Sequence, residues 1–139
     1  MIPPDMKEFN RTVVEEFRAN QGSLSGRLAN SMILLLTTKG NRSGEPRTIV
    51  LGYRPDGERF IVIASNNGAD DNPAWYRNLL TDPTAQVEVG ANTLEVRAST
   101  VDGPERDRLA GLVDYYQGQQ KLTKREIPVV VLEPVSRAQ

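Results

Sequence analysis

The chain has 139 residues, 18 acidic and 17 basic, a formal net charge of −1, and neither histidine nor cysteine. Its length suits one domain, and an apolar share of 38%, about 46% with glycine, is that of an ordinary globular protein, which excludes wholesale disorder. The missing residue types exclude a Ser-His-Asp triad, a thiolate nucleophile, a zinc finger, a His-ligated metal and a disulfide scaffold, and the near-neutral charge gives no global attraction to nucleic acid or anionic lipid.

In chain order, Pro3-Pro4-Asp5 followed by Glu8 reads as a capping box that starts a helix over about Met6 to Asn20. Met6, Phe9, Val13 and Phe17 share one face of it, and Gln21-Gly22-Ser23 ends it. Strands follow at Met32–Thr38, Arg47–Tyr53 and Phe60–Ala64, separated by the turn-rich 39–46 segment and by Pro55-Asp56-Gly57; the near-continuous apolar run of the third predicts burial on both faces. Asn72 as N-cap and Pro73 at the first helical position open a helix to about Thr81. Alternation over Ala85–Val89 and Leu94–Ala98 predicts a half-solvated hairpin. A charged helix then runs from Asp102-Gly103-Pro104 to about Gln117, with Gly118 weakening or ending it, and Ile127–Leu132 forms a last strand bounded by Pro128 and Pro134. Consecutive short strands with three interspersed helices and no β-α-β alternation predict a mainly β, α+β fold, a small antiparallel barrel filling one domain over residues 1–139 with an N-terminal amphipathic helix at about 5–20. The longest apolar run, Met32–Leu36, is far short of the roughly 20 residues of a membrane span, and the N-terminus lacks a basic start and apolar stretch, so the expected location is cytoplasmic.

Three features carry chemistry, each with a plainer competitor. Lys39-Gly40-Asn41-Arg42-Ser43-Gly44-Glu45-Pro46-Arg47 sets three cations around two glycines, an arrangement that can hold a phosphate or carboxylate; the competitor is a solvated hairpin loop. Ala64-Ser65-Asn66-Asn67-Gly68 leading into Asn72–Asn78, with the single Trp75, can frame a flat heterocycle; otherwise Trp75 anchors the core. Tyr115-Tyr116 offers a phenolic proton donor, or two packed rings. The adjacent Asp70-Asp71 favours a helix dipole over a metal, and no metal is expected.

Leu35–Arg47, Tyr53–Gly57, Ile63–Gly68 and Asn72–Leu79 together resemble the deazaflavin-dependent nitroreductase family, whose members use coenzyme F420 on a split β-barrel of the FMN-binding-protein-like kind. Glu15–Asn20 with Gly22 is similar to the family's N-terminal helix and Ile127–Val130 to its closing strand, so the likeness spans about residues 8 to 134. The resemblance implies that Lys39, Arg42, Ser43, Gly44 and Arg47 hold the coenzyme's phosphate and oligoglutamate tail, and that Ala64, Ser65, Asn66, Trp75 and Asn78 border the deazaflavin. It also implies that Tyr116, with Ser65, orients the acceptor and supplies or relays a proton. A cofactor that carries the hard step removes the difficulty posed by the missing His and Cys. Asn66 stands where the family often has Lys and Val50 where it often has Pro, and the Val113–Gln119 region has fewer tyrosines than relatives active on nitro compounds. The implied function is hydride transfer from reduced F420 to a quinone-like or other conjugated acceptor, nitroaromatics being incidental. The alternatives are a non-enzymatic deazaflavin-binding protein or an FMN-dependent oxidoreductase on the same barrel. The expected partners are a small-molecule acceptor and no nucleic acid, with the protein a monomer or homodimer. The expectation includes peripheral membrane contact, the first helix lying on a bilayer to meet lipid quinones, although Glu8, Glu15 and Glu16 oppose attraction to anionic lipid.

Overall fold

Residues 6–25 and 31–135 are described by a computed structural model. Helix α1 (Met6–Ala19) precedes strands β1 (Ile33–Lys39), β2 (Pro46–Gly52), β3 (Arg54–Asp56) and β4 (Arg59–Ile63). A 3₁₀ turn (Asn66–Gly68) and helix α2 (Ala74–Thr81) lead to β5 (Thr84–Val89) and β6 (Asn92–Val101), followed by α3 (Gly103–Ala110), α4 (Tyr116–Gln120) and β7 (Val129–Pro134). The cap expected from Asp5 and Glu8, and the parts assigned to the Met6 and Phe9 side chains, lie outside what is described.

All seven strands belong to one antiparallel sheet in the order β2-β1-β5-β6-β7-β4-β3. Its two edge strands, β2 and β3, are consecutive in the chain with only Tyr53 between them. A covalent link that short makes the sheet curl until its edges approach, and the result is a split barrel whose seam lies between β2 and β3. Alternation along the strands then assigns the faces. Leu34, Leu36, Val62, Ala64, Val87, Val96, Val130 and Leu132 fill the interior with Trp75, Tyr76 and Leu79 of α2. From the other face, Ile61, Ile63, Val129 and Val131 pack against Leu109, Val113 and Tyr116. β4 and β7 are thus covered on both faces, as the apolar run in β4 predicts; each fully buried aliphatic side chain contributes roughly 1.5–3 kcal/mol.

Helix α1 lies against the outside of the β2-β1-β5 portion. Val13 and Phe17 are buried, Arg18 grips Glu88 of β5 through two hydrogen bonds (3.0 and 2.8 Å), and the Asn10 amide inserts into the open edge of β2. There its Nδ2 donates to the Thr48 carbonyl and its Oδ1 accepts from the Val50 N–H, both at 2.9 Å, so one side chain satisfies two unpaired ladder groups on the edge strand. Val13 and Phe17 therefore face protein and are not free to form a membrane-binding stripe. No helix among the described residues is long and apolar enough to cross a membrane. After α1, Gly22 has φ +93°, and an added Cβ there would stand 2.5 Å from the Cα of Gly90; the chain returns to the β5–β6 turn through a position that only glycine fits.

Two expectations change. The Pro55 region is a short strand, β3, paired with β4, rather than only a turn. The single helix expected over about 102–117 is two, because the chain between them closes with i→i−3 bonds (Leu112 N–H to Leu109 O, 3.0 Å; Val113 N–H to Ala110 O, 3.1 Å). Gly118 lies inside α4 and does not end it. Leu109, Val113 and Tyr116 keep helical spacing across the break, so the apolar pattern carries no trace of it.

Candidate functional site

A cleft of about 1070 Å³ opens beside the β1–β2 turn and runs past α2 to the start of α4. At one part of it the turn is closed by Gly40 N–H to Glu45 O (2.8 Å) and Gly44 N–H to Gly40 O (2.9 Å). Arg42, Ser43 and Arg47 line the cleft there, and neither guanidinium has an ion-pair or hydrogen-bond partner among the described residues. Two cations without a partner among the described residues, held on a tight turn, are an arrangement that can hold an anion. Asn78 of α2 fixes that turn: its Oδ1 accepts from the Asn41 N–H (3.1 Å) and its Nδ2 donates to Thr38 Oγ1 (3.0 Å), with the Asn78 and Thr38 side chains buried.

The second part is built by the segment that leaves β4. Ser65 and Asn66 line the cleft, with Trp75 and Ala74 from the first turn of α2. Asn66 has φ +49°, a left-handed conformation that asparagine tolerates, and its Nδ2 donates to the Asp71 carbonyl at 3.1 Å. Trp75 is 6% exposed and belongs to the interior core while also lining the cleft. Asn72 does not cap α2; Pro73 occupies that position, and the Asn72 Oδ1 accepts from Arg125 at 2.8 Å.

The third part is supplied by Tyr115, the member of the tyrosine pair that the resemblance does not single out, and by Gln119, which carries no sequence signal. Tyr115 sits at φ −92°, ψ 0°, just before α4, its ring 5.2 Å from the Arg54 guanidinium carbon. An added Cβ at Gly52 would stand 3.0 Å from its hydroxyl oxygen. Burial pushes the Tyr115 phenol above its ordinary value; the nearby Arg54 cation opposes the shift and Asp114 adds to it. The Gln119 Oε1 is buried with no hydrogen-bond partner. A sealed acceptor of that kind is costly unless something in the cleft donates to it.

Four expected site residues stand elsewhere. Lys39, Gly44 and Ala64 are absent from the cleft lining; Ala64 is fully buried in the interior core, and its neighbour Ser65 takes the place at the wall. Tyr116 is turned away. It is 3% exposed in the second core, its hydroxyl is a partner of Arg106 and lies 3.1 Å from the Ile127 carbonyl and 3.2 Å from Gln120 Oε1. The break between α3 and α4 explains the exchange, since it sends adjacent tyrosines to opposite sides: one to the cleft, one to the core. Nothing in the pair Tyr115-Tyr116 distinguishes them by residue type.

A family model described as F420H(2)-dependent quinone reductase matches residues 9–134. An F420H(2)-dependent quinone reductase of Mycobacterium tuberculosis (strain ATCC 25618 / H37Rv) is 35% identical over 124 residues, which covers 84% of this chain and 83% of the relative. Among solved structures, an F420-H2 dependent reductase, FDR-A, gives a TM-score of 0.68 at 32% identity, covering 73% of this chain and 94% of its own. A protein described as a domain-swapped dimer gives 0.69 at 28% identity, covering 93% and 100%. The resemblance to F420-dependent enzymes holds, with quinone reductase the more specific description, and by these matches the chain belongs to the F420H(2)-dependent quinone reductase family.

Proposed function

We propose that the cleft binds reduced coenzyme F420 and that the protein reduces a quinone-like acceptor there. The observation that carries this reading is the joining, in one cleft, of a turn with unpaired Arg42 and Arg47 to a wall made of Ser65, Asn66 and Trp75. The residues suit the coenzyme. A polyanionic phosphate-and-glutamate tail answers the two guanidiniums and Ser43, and a planar heterocycle with polar edges answers the indole and the 65–66 segment. The volume, about 1070 Å³, is at the upper end of small-molecule sites and exceeds what a simple quinone alone would need. Gln119 Oε1 supports the same reading, because a ring N–H or a hydroquinone O–H would give that buried acceptor its missing donor.

When bound, the reduced coenzyme supplies the hydride. The protein's residues do the remainder: Arg42 and Arg47 hold the acidic end, Asn78 keeps their turn against α2, and Ser65 and Trp75 align the reacting face. A quinone that accepts a hydride becomes a hydroquinonate and needs one proton to become the hydroquinone. The Tyr115 phenol, protonated at physiological pH as any phenol of ordinary or raised pKa is, stands on the cleft wall to give that proton, with solvent to replace it. In this role Tyr115 replaces Tyr116, whose hydroxyl is engaged in the core. The test is to mix purified protein with reduced coenzyme and menadione and follow the return of oxidised-coenzyme absorbance. Turnover with quinones exceeding that with nitroaromatics is expected; no turnover across both acceptor classes refutes the proposal.

A further inference from the structure

Outside the cleft lining, one side chain makes more hydrogen bonds than any other described here. Arg125, in the segment that follows α4, donates from Nε to the Ala69 carbonyl (3.0 Å) and from Nη1 to Asn72 Oδ1 (2.8 Å). From Nη2 it reaches the carbonyls of Ala64 (2.9 Å), Ser65 (3.1 Å) and Asp71 (3.2 Å). Its partners span the whole connection from the end of β4 to the start of α2, which carries Ser65 and Asn66 into the cleft. None of them is a carboxylate. The guanidinium therefore acts as a fork that gathers neutral oxygens from five residues, a task its planar set of five N–H groups can perform and a lysine ammonium cannot.

Two more contacts join the same segments. Thr123 Oγ1 donates to Asp70 Oδ1 at 2.9 Å, and Gly68 approaches so closely that an added Cβ would stand 2.6 Å from Leu122 Cβ. Residues 121–125 are continuous with α4, which presents Gln119, with Tyr115 just before it. One guanidinium thus holds the wall that bears Ser65 and Asn66 against the segment that bears Tyr115 and Gln119.

We propose that Arg125 is a positioning residue of the reaction: it touches neither substrate nor coenzyme, and it sets turnover by fixing the separation of these two walls. The proposal rests on the quinone-reductase reading of the cleft for its kinetic arm, and on the hydrogen bonds alone for its structural arm. Displacement of an aligned group by about 1 Å can cost on the order of 100-fold in rate, and the anchor for the acidic tail, at Arg42 and Arg47, does not depend on Arg125.

The experiment uses Arg125→Lys and Arg125→Gln in the full chain, with Asp56→Asn as a control that loosens an ion cluster on a different part of the barrel. Hydrogen exchange of the free protein is measured on peptides from residues 64–73 and from β6. Coenzyme affinity is measured by fluorescence titration, and kcat and KM with menadione. The expected result is exchange at least about 10-fold faster in 64–73 with β6 unchanged, kcat lower by about 10- to 100-fold, and a coenzyme Kd raised by no more than about 3-fold. The Asp56→Asn control should keep kcat within about twofold of the parent. A folded Arg125→Lys with unchanged loop exchange overturns the clamp. Faster loop exchange with unchanged kcat overturns the positioning role, as does a kcat loss no larger than the loss of folded protein. Should the parent protein fail to bind the coenzyme, the reading of the cleft falls, and the exchange arm still decides whether Arg125 holds the loop.

Discussion

Replacing each of the adjacent tyrosines by phenylalanine separates the two sides of the α3–α4 break. In Tyr116→Phe the lost hydroxyl leaves no acceptor stranded: the Ile127 carbonyl keeps the Arg106 Nη2 donor at 3.1 Å, and Gln120 Oε1 keeps the Ile127 N–H at 3.0 Å. Arg106 retains Glu126 at 3.3 Å. The cost is therefore that of about one hydrogen bond to a charged partner with no orphaned group, about 1–2 kcal/mol. For a chain of this size that lowers Tm by roughly 3–10 °C. Turnover per folded molecule should match the parent. Tyr115→Phe removes a hydroxyl with no hydrogen-bond partner among the described residues, so Tm should move by less than about 2 °C. If its phenol delivers the proton, kcat should fall by about 100-fold, the low end for a general acid because the cleft is open to water. Thermal unfolding followed by circular dichroism, with steady-state turnover at a temperature where both variants are folded, reads both effects. An undisturbed rate in Tyr115→Phe, or a slowed rate without loss of stability in Tyr116→Phe, would refute the assignment.

Asn78→Ala should cost about 2 kcal/mol, since the Asn41 N–H and Thr38 Oγ1 lose their buried partners, and should weaken coenzyme binding through the loosened turn; urea unfolding and a coenzyme titration measure the two effects. Gly22→Ala should cost about 1–3 kcal/mol by urea unfolding, because φ is +93° and the new Cβ meets Gly90. Hydrogen bonds from Arg108, then Arg59, hold the Asp56 carboxyl down to about 2 from 3.8. A carboxyl depressed in the folded state stabilises above its unfolded value and loses that contribution as pH falls, so the loss falls between pH 3.8 and about 2. Asp56→Asn should accordingly be less stable at neutral pH and show a shallower decline across that window in unfolding curves taken at a series of pH values.

The fold was legible where burial imposed a period. The two-sided apolar run of Phe60–Ala64 became the doubly covered β4, and the alternation over Ala85–Val89 became a hairpin strand with Val87 in the core. It was illegible where the decisive event was in the backbone: i→i−3 bonds broke the 102–117 helix without disturbing its apolar spacing. The site divides in the same way. The charge and glycine pattern of 39–47 marks a candidate anion-binding turn, and Arg42, Ser43 and Arg47 do line the cleft. Composition could not tell Tyr115 from Tyr116, nor Ala64 from Ser65, because the α3–α4 break and the end of β4 send these neighbours in different directions and only the tertiary fold decides which side is the cleft. Asn10 and Gln119 carried no signal of their own; one gains its place from edge-strand pairing and the other from the packing of α4. Arg125 lies in no motif, and its weight comes from the oxygens that the fold gathers around it.

The claim on which the rest depends is that the cationic turn and the aromatic wall serve one ligand. Its most direct test compares equilibrium binding of the complete coenzyme with that of the same deazaflavin lacking the phosphate and glutamate tail, in the parent protein and in an Arg42→Ala, Arg47→Ala double variant. The account predicts that the parent prefers the complete coenzyme by at least about tenfold at low salt, that added salt erodes the preference, and that the double variant binds both alike. Equal affinity of the parent for the two molecules, or a preference that survives removal of both arginines, would contradict it.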